Sequence, residues 1–505
     1  MAAPATIDLE HTYAHELEGC SVPWRPEPAP APKALFFNAP LAEELGLDPA
    51  LAGPAGTALF SGNALPAGAE PVAQVYAGHQ FGGFSPQLGD GRALLLGEVI
   101  DRAGQRRDIA FKGSGRTPYS RGGDGKAAVG PMLREALMGE AMHALGIPTT
   151  RALAVVATGA PVLRERVLPG AVLTRVAASH IRVGTFQFFA ARGDAVRVQQ
   201  LADYTLARHD ADLSGTPGRY LALLERVAGR QARLIAQWMN VGFIHGVMNT
   251  DNMTLSGETI DYGPCAFVEA YDPAAVFSSI DRGGRYAFGN QPHIARWNLA
   301  RLAEALLPLL AEGEDQAMAE AMRVIDAFPA VYGRHLLAGQ RAKLGLQLAD
   351  APSDEADTAL AADWLALLHA GKADFTLAWR KLCDAAAGDD TPLHALFADA
   401  NVLRPWFERW RERCAREDAG SPFSQGPRSA EERAARMRRV NPWIAPRNHR
   451  VEEALTAASD DGDMAPFERL LAALLHPFDE RPQNARYAEP APAEVTAQYQ
   501  TFCGT

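Results

Sequence analysis

Apolar residues in the first half of the chain come in short runs that predict β-strands. Two of these runs are Ala93–Ile100 and Asp108–Lys112, and the glycine-containing polar segment between them is typical of a hairpin turn. Two further runs, Ala152–Ala157 and Ala171–Val176, precede residue 190. The pattern predicts a β-rich region that contains an antiparallel pair.

A helical period replaces these runs further along the chain. A helix is predicted from Pro131 to Leu145, because proline suits a first helical turn and Gly146 suits the end. A longer helix is predicted over Arg219–Asn240 from its spacing of apolar residues. Two short elements are predicted after it, at Gly242–His245 and Glu258–Asp261. From Trp297 onward the pattern is nearly all helical.

This order of elements predicts an α+β fold with four regions. Residues 1–70 are rich in Pro and Ala and are expected to form an irregular and helical extension. Residues 71–190 would form a β-rich lobe, and residues 191–350 a mainly helical lobe that carries loops with His, Asp and Asn. Residues 351–505 would form a helical extension.

Composition narrows the class of protein. The 49 Lys and Arg residues are outnumbered by 60 Asp and Glu residues, which argues against a nucleic-acid binder. No apolar run reaches the roughly 18–20 residues of a membrane span, and the acidic N-terminus does not resemble a signal peptide. The five cysteines are dispersed, which argues against a zinc site and a secreted disulfide scaffold. We therefore expect a soluble cytoplasmic protein without membrane partners.

A lysine at the end of a predicted strand and a glutamate on the next predicted helix are the first candidates for chemistry. Lys112 and Glu135 are separated by a Gly-rich stretch whose backbone N–H groups could bind phosphate. In protein kinases such a pair positions the nucleotide phosphates. A surface lysine and a helix-stabilising glutamate would have the same spacing, and the pair alone favours that plainer interpretation.

A loop after the long helix contains the next candidates. His245 and Asn252 have the spacing of the kinase catalytic loop, but Val247 stands where the catalytic aspartate would be and cannot accept a proton. Asp251 instead lies directly before Asn252. Asp261 begins an Asp-Tyr-Gly tripeptide that resembles the metal-binding Asp-Phe-Gly of kinases, and the Asn amide and Asp carboxylate fit a phosphate-bridged Mg²⁺ site. Turn geometry is the alternative explanation for each residue alone.

Glycines and arginines complete the candidates. Gly89 and Gly91 precede a predicted strand, but neither they nor the glycines after Lys112 form a dinucleotide fingerprint or a P-loop. The guanidinium groups of Arg175 and Arg182 could bind phosphate oxygens. Ion pairs at the surface of an acidic protein are the alternative, and these two positions alone favour it.

Longer strings of residues extend these observations to nearly the whole chain. They are YAGHQFG from Tyr76, QLGDGR from Gln87, FKGSGRTP from Phe111, RGGDGK from Arg121 and DYGPCAF from Asp261, with shorter strings near residues 290, 297, 441 and 446. In these strings, and in the His245 to Asn252 loop, the chain resembles the selenoprotein O family of kinase-like proteins.

The resemblance implies a protein-kinase-like bilobal fold, with a β-rich N-lobe, a mainly helical C-lobe and a family-specific C-terminal helical extension. It implies a protein adenylyltransferase that transfers AMP from ATP to Ser, Thr or Tyr hydroxyls, with UMP transfer from UTP as a further activity. The cofactor would be Mg²⁺ or Mn²⁺, and ATP would lie flipped relative to its orientation in kinases. The expected partners are the nucleotide and protein substrates, and the expected state is a monomer.

By motif, the resemblance also implies a role for each candidate residue. Asp251 would accept the proton, Asn252 and Asp261 would bind the metal, and Glu135 would support Lys112. The nucleotide would contact Gly89, Gly91, Arg92, Lys112, Asp124, Gly125, Arg175, Arg182 and Asp261.

A flipped triphosphate would explain the need for the extra cations Arg175 and Arg182 and for a base other than residue 247. Two alternatives are an ordinary kinase, which transfers the γ-phosphate, and a non-catalytic nucleotide-binding scaffold. Val247 argues against the kinase, and the intact set of Lys112, Glu135, Asn252 and Asp261 argues against the scaffold.

A redox control is a further hypothesis. Cys503 stands three residues from the end, where many eukaryotic members of the family carry selenocysteine. It could pair with Cys265, beside the Asp-Tyr-Gly tripeptide. A reducing cytoplasm favours two unlinked thiols as the resting state.

Overall fold

The computed structural model, which describes residues 7–347, 351–420 and 429–502, contains a large antiparallel sheet followed by many helices. Within these residues the strands are β1 (Ser21–Pro23), β2 (Lys33–Phe37), β3 (Val72–Gln74), β4 (Gly78–Gln80), β5 (Gly83–Ser85), β6 (Ala93–Ile100), β7 (Arg106–Lys112), β8 (Ala127–Ala128), β9 (Arg151–Leu163), β10 (Val167–Ala177), β11 (Phe243–Ile244) and β12 (Ala266–Phe267). The α-helices there are α1 (Thr12–Glu16), α2 (Ala39–Glu44), α3 (Pro54–Phe60), α4 (Val129–Ala144), α5 (Val183–Ala190), α6 (Ala195–His209), α7 (Arg219–Val241), α8 (Gln291–Leu310), α9 (Glu314–Lys343), α10 (Ala351–Gly371), α11 (Phe375–Ala386), α12 (Thr391–His394), α13 (Arg404–Gly420), α14 (Ala430–Arg438), α15 (Asn448–Thr456), α16 (Ala465–Leu474), α17 (Ala485–Ala488) and α18 (Ala493–Gln498). The predicted α+β class is confirmed.

The register of the sheet brings several candidate residues to one face. The strand order is β1-β3-β6-β7-β10-β9-β2, with β8 paired to β10. Arg175 on β10 lies opposite Ala110 on β7, which is two residues before Lys112. Because side chains alternate between the two faces of a strand, Arg175 and Lys112 project from the same face, as does Asp108.

Helix α4 packs against that face. Its apolar side chains, including Leu133, Leu137 and Met138, belong to a core shared with α7, α8 and α9. The helix begins at Val129, two residues before the predicted start, and Gly146 follows its end in the left-handed conformation. This packing directs Glu135 toward the end of β7.

Residues before 70 add to the same sheet. Strand β2 pairs with β9, and β1 pairs with β3. The short helices α2 and α3 cover the other face, where Leu41 and Phe60 pack with Ile109 and Phe111. The sheet therefore draws strands from both sides of the boundary expected at residue 70.

The described residues from Trp297 onward are mainly helical, as predicted. Helix α7 runs between two left-handed glycines, Gly218 and Gly242, and lies against α8 and α9. The later helices share a core built around Trp364, Trp379 and Trp406. Among the described residues, no helix is both long and apolar enough to cross a bilayer.

One predicted element is wrong. Residues Glu258–Asp261, predicted as a short element, form neither a helix nor a strand and contain only an isolated bridge from Thr259 to Thr149. The Thr259 N–H donates to the Pro148 carbonyl, and the Thr259 carbonyl accepts from the Thr150 N–H. Both of these backbone bonds go to the loop after α4. Asp261 then takes a left-handed backbone conformation with φ of 65°, which ends any extended run.

Candidate nucleotide-binding and active site

A cleft of about 1540 Å³ runs along the sheet face that carries Lys112 and Arg175. It is lined by strand ends, the glycine loops, helix α4, the loop after β11 and the segment 498–502. The candidate residues that line it are Gly89, Gly91, Arg92, Lys112, Asp124, Gly125, Glu135, Arg175, Arg182, Asp251, Asn252 and Asp261. The fold thus brings together, in one cavity, residues that are far apart in sequence.

Three cations converge on the carboxylate of Asp261. Lys112 Nζ bonds to Oδ1, Arg175 Nη1 donates to the same oxygen at 2.9 Å, and Arg182 Nη1 lies 3.7 Å from Oδ2. Partial burial alone would raise the pKa of Asp261, but these cations hold it well below its usual range. The carboxylate is therefore ionised at neutral pH.

Lys112 also bonds to Glu135 on α4, and both side chains are buried. Arg175 and Arg182 are buried as well, each with 3% of its surface exposed. The interpretation of these four residues as surface ion pairs and helix-stabilising groups is therefore wrong. Three buried cations that share the carboxylates of Asp261 and Glu135 at one wall of the cleft are suited to binding a further anionic ligand.

Asp251 lies beside this cluster with one free oxygen. Its Oδ2 accepts a hydrogen bond from Gln80 Nε2 at 3.4 Å, while the buried Oδ1 has no hydrogen-bond partner among the described residues. Burial raises the pKa of Asp251 to about 6, against the opposing effect of Arg182. Such a carboxylate is a suitable proton acceptor near neutral pH.

The hairpin β4–β5 holds the loop that carries Asp251, and its role was missed in the sequence. His79 N donates to Thr250 Oγ1 at 2.7 Å, and Phe81 N donates to Asn249 Oδ1 at 3.0 Å. Strand β4 lies within the YAGHQFG string and β5 follows it directly; the string contributed to the family resemblance but carried no signal of a structural role.

Asn252 and Asp261 offer hard oxygen donors of the kind that Mg²⁺ and Mn²⁺ prefer. Asn252 Nδ2 donates to the Val247 carbonyl at 3.0 Å, which fixes the amide and leaves its Oδ1 facing away from that carbonyl. In the described part of the chain, no group of three or more His, Cys, Asp or Glu side chains is placed to hold a metal. By the chemistry of their oxygens, Asn252 and Asp261 are suited to a hard divalent cation.

The glycine loops close over one side of the cleft. Gly125 has φ of 66°, and a Cβ there would lie 2.0 Å from the Gly115 carbonyl oxygen. At Gly89 a Cβ would lie 2.5 Å from the Tyr119 ring. Asp124 bonds to Arg164 at 2.9 Å, which ties this loop to the β9–β10 hairpin. A side chain at Gly89 or Gly125 would collide with these neighbours, so only glycine allows the backbone to approach them so closely.

Two other candidates are not part of the cleft wall. His245 is buried behind it, where its Nε2 contacts the Ile260 carbonyl oxygen at 2.8 Å. Cys265 is fully buried, and its Sγ donates to the Tyr262 carbonyl at 3.2 Å. Burial raises the pKa of the Cys265 thiol to about 11. Cys503 lies outside the described residues, so the Cys265–Cys503 pair stays a prediction.

Comparisons with known proteins show what this chain is similar to. The family model described as "Protein adenylyltransferase SelO" matches residues 6–475. A protein of Cereibacter sphaeroides named "Protein nucleotidyltransferase YdiU" is 60% identical, with 99% of this chain and all of the relative covered. Proteins of the same name from Chromobacterium violaceum (60% identical; 96% of this chain, 99% of the relative) and Rhizobium meliloti (56%; 95% and 96%) are also similar. The chain therefore belongs to the SelO family of protein adenylyltransferases.

Proposed function

We propose that the protein transfers AMP from ATP to Ser, Thr or Tyr hydroxyls of protein substrates and releases pyrophosphate. Family membership and the full-length similarity to proteins named nucleotidyltransferases support the activity. One observation carries the proposal most directly, namely that a buried cation cluster and a carboxylate with a free oxygen line the same cleft.

Lys112, Arg175 and Arg182 bind the β- and γ-phosphates. Their convergence on Asp261 favours this role, because the phosphates of a nucleotide offer further oxygens to three cations that already meet at one place in the cleft. With the tail of the nucleotide held there, the α-phosphate lies toward Asp251 and the acceptor protein. This is the flipped orientation that the resemblance implies.

Asn252 and Asp261 would hold Mg²⁺ or Mn²⁺ when the nucleotide is bound. The bound cation supplies neutralisation of the negative charge on the triphosphate. Lys112 and Glu135 keep the Asp261 carboxylate at the cleft wall, since the lysine bonds to both acidic groups.

Asp251 accepts the proton of the acceptor hydroxyl. The hydroxyl oxygen forms a bond to the α-phosphorus, the bond from that phosphorus to the bridging oxygen breaks, and pyrophosphate leaves with the bonding electrons. The free Oδ1 of Asp251 is the atom suited to this transfer. Val247 also lines the cleft, but its side chain has no group that can take a proton.

The architecture that we propose is the kinase-like bilobal one, with residues 71–190 as the N-lobe, 191–350 as the C-lobe and 351–505 as the C-terminal extension. The bond from a strand lysine to a helix glutamate, together with metal-binding Asn and Asp residues on later loops, supports it.

The test compares ATP labelled at the α-phosphate with ATP labelled at the γ-phosphate. The purified protein and a desalted bacterial lysate serve as acceptors, with Mg²⁺ or Mn²⁺ present, and α-labelled UTP is included in parallel. We expect α-label from ATP on protein, lost in Asp261→Ala. Asp326→Ala, which removes an exposed carboxylate on α9, is the matched control and should keep the activity.

Each outcome has a distinct meaning. Protein-bound γ-label without α-label would identify a kinase. ATP binding without transfer of either label to any protein would identify a scaffold. A greater yield from UTP than from ATP would replace AMP by UMP as the transferred group.

A further inference from the structure

A histidine that no motif singled out lies directly behind Arg175. His180 has 2% of its surface exposed and sits on the loop that joins β10 to α5. Arg175 Nε donates to His180 Nε2 at 3.2 Å. On the other side of the ring, His180 Nδ1 lies 3.0 Å from Asp108 Oδ2.

These contacts fix the state of the imidazole ring. An arginine is always protonated and can only donate, so His180 Nε2 must be the unprotonated acceptor. The ring proton is therefore on Nδ1, where it is donated to Asp108. Burial lowers the pKa of His180, which agrees with a neutral ring.

Asp108 is itself held on several sides. Its Oδ1 bonds to Arg208 on α6, and its Oδ2 also accepts from the backbone N–H of His180 at 2.8 Å. Arg208 in turn donates to the Ala178 carbonyl. A buried series of hydrogen bonds therefore runs from Arg208 on α6 through Asp108 and His180 to the guanidinium group of Arg175.

Arg175 needs such a support because of its shape. Its Nη1 reaches Asp261, so the outer edge of the planar group faces the cleft while Nε faces the interior. A guanidinium group anchored at Nε cannot rotate about its last side-chain bonds without losing that bond. Preorganised donors of this kind bind an anion without the cost of first ordering the side chain.

We propose that His180 is a positioning residue, whose Nε2 holds the Arg175 guanidinium group in the orientation that receives the nucleotide phosphates. The proposal rests on the proposed function to the extent that Arg175 is a phosphate ligand. His180 itself does not touch the nucleotide, and it acts through Arg175.

Two near-isosteric substitutions separate this role from a purely structural one. In His180→Gln, the amide oxygen can take the place of Nε2 and accept from Arg175. In His180→Asn, the shorter amide can reproduce the bond from Nδ1 to Asp108 but does not reach Arg175. Both variants bury a polar amide, and thermal unfolding separates a loss that comes from packing from the loss of the bond to Arg175.

The experiment is a calorimetric titration of the full-length protein and each variant with ATP in the presence of Mg²⁺. We expect His180→Asn to raise the Kd for ATP roughly tenfold or more, the effect of losing one charge-assisted hydrogen bond, and His180→Gln to stay within about threefold. Thermal unfolding of each variant is measured alongside. Equal Kd values for Asn and Gln, or an Asn variant that does not fold, would overturn the proposal.

A double-mutant cycle adds a second measurement. Arg175→Lys keeps a cation but removes the Nε–H group that bonds to His180. In that background the Asn and Gln variants at position 180 should bind ATP equally. A difference that persists there would show that residue 180 acts through another group.

The proposal and the proposed function can fail separately. If the unmodified protein binds ATP and transfers the α-label while the Asn and Gln variants are equal, only the role of His180 is lost. If the unmodified protein does not bind ATP, both are overturned.

Discussion

At the scale of single residues, the burial of Asp251 makes a prediction about pH. The proposed base must be ionised, and burial raises its pKa to about 6. Below that pH the protonated form dominates, so kcat/KM for AMP transfer should rise about tenfold per pH unit up to pH 6 and level off above it. Initial rates with α-labelled ATP from pH 5 to 8 measure this profile.

The control for this prediction is Asp251→Asn. The amide keeps the shape of the side chain but cannot accept the proton, so we expect a rate loss of about 10²–10⁴ and a flat profile over the same pH range. ATP affinity, measured by titration at each pH, should change little. A rate that falls between pH 5 and 7 in the unmodified protein would contradict the assignment of Asp251 as the base.

Sequence patterns located the candidate residues but not their environment. Spacing to other residues marked Lys112, Asp251 and Asp261. The same spacing could not show that Arg175 and Arg182 are buried, because burial depends on the strand register and on helices distant in sequence. Gln80 contacts Asp251, and the His180 ring lies between Arg175 and Asp108, which is on another strand. No local pattern encodes such contacts.

At the scale of elements, the β4–β5 hairpin makes a second prediction. Gly78 lies so close to the loop that carries Asp251 that a Cβ there would be 2.9 Å from Asp251 Oδ1 and 3.2 Å from Thr250 Oγ1. Gly78→Ala should therefore displace the Asp251 carboxylate and lower kcat at least about tenfold, while ATP affinity is kept. Steady-state rates with α-labelled ATP and a separate ATP titration measure the two effects.

The matched control lies on the same hairpin. At Gly83 a Cβ would be 3.5 Å from the Gln80 carbonyl oxygen, which is an ordinary contact. Gly83→Ala should leave the rate within about twofold of the unmodified protein. If both alanine variants lost activity equally, the hairpin would act through its stability and not through its contact with Asp251.

A third prediction concerns the junction between the loop before α15 and the rest of the helical part. Arg447 is buried and donates to Glu269 Oε2 at 2.7 Å and to Asp374 Oδ1 at 2.9 Å. Arg447→Met would leave two buried carboxylates without a cation, which should lower the free energy of unfolding by about 3–5 kcal/mol. Urea denaturation measures the loss.

Arg450→Met is the comparison for that loss. Arg450 lies one turn later and pairs at 3.0 Å with the exposed Glu453. Surface pairs contribute about 0–1 kcal/mol, so this variant should unfold at nearly the same urea concentration as the unmodified protein. Equal losses for the two arginines would mean that the carboxylates around Arg447 find other partners or become protonated.

The elements themselves were predictable where local pattern and packing agree. The β6 strand and the α7 helix follow the predicted ranges closely, because each buries a regular set of apolar side chains. The segment Glu258–Asp261 misled the prediction, since its backbone bonds go to the loop after α4 and not to a neighbouring strand. Pairing partners distant in sequence are not encoded in a four-residue run.

At the scale of the whole molecule, a segment late in the chain contributes to the cleft. Residues 498–502 line one wall of it. Thr501 Oγ1 donates to the Pro264 carbonyl at 2.8 Å, and Thr501 N donates to the Phe277 carbonyl at 2.8 Å. Tyr499 Oη receives a hydrogen bond from Arg134 on α4 at 3.2 Å. These hydrogen bonds tie the segment that contains Tyr499 and Thr501 to helix α4 and to loops elsewhere in the fold.

The last prediction is that residues 498–502, which line the cleft, contribute to nucleotide affinity. Deleting residues 498–505 removes a wall of the cleft and lets water reach the buried cations, so their attraction for phosphate weakens. We expect the Kd for ATP, measured by titration with Mg²⁺, to rise roughly five- to tenfold, or ~1 kcal/mol.

Tyr499→Phe is the control, because Arg134 keeps its bonds to Glu452 at 2.9 Å and to the Cys265 carbonyl at 2.7 Å. That variant should bind ATP within about twofold of the unmodified protein. A truncated protein that binds ATP as tightly as the full chain would show that the wall belongs to the fold and not to the nucleotide site.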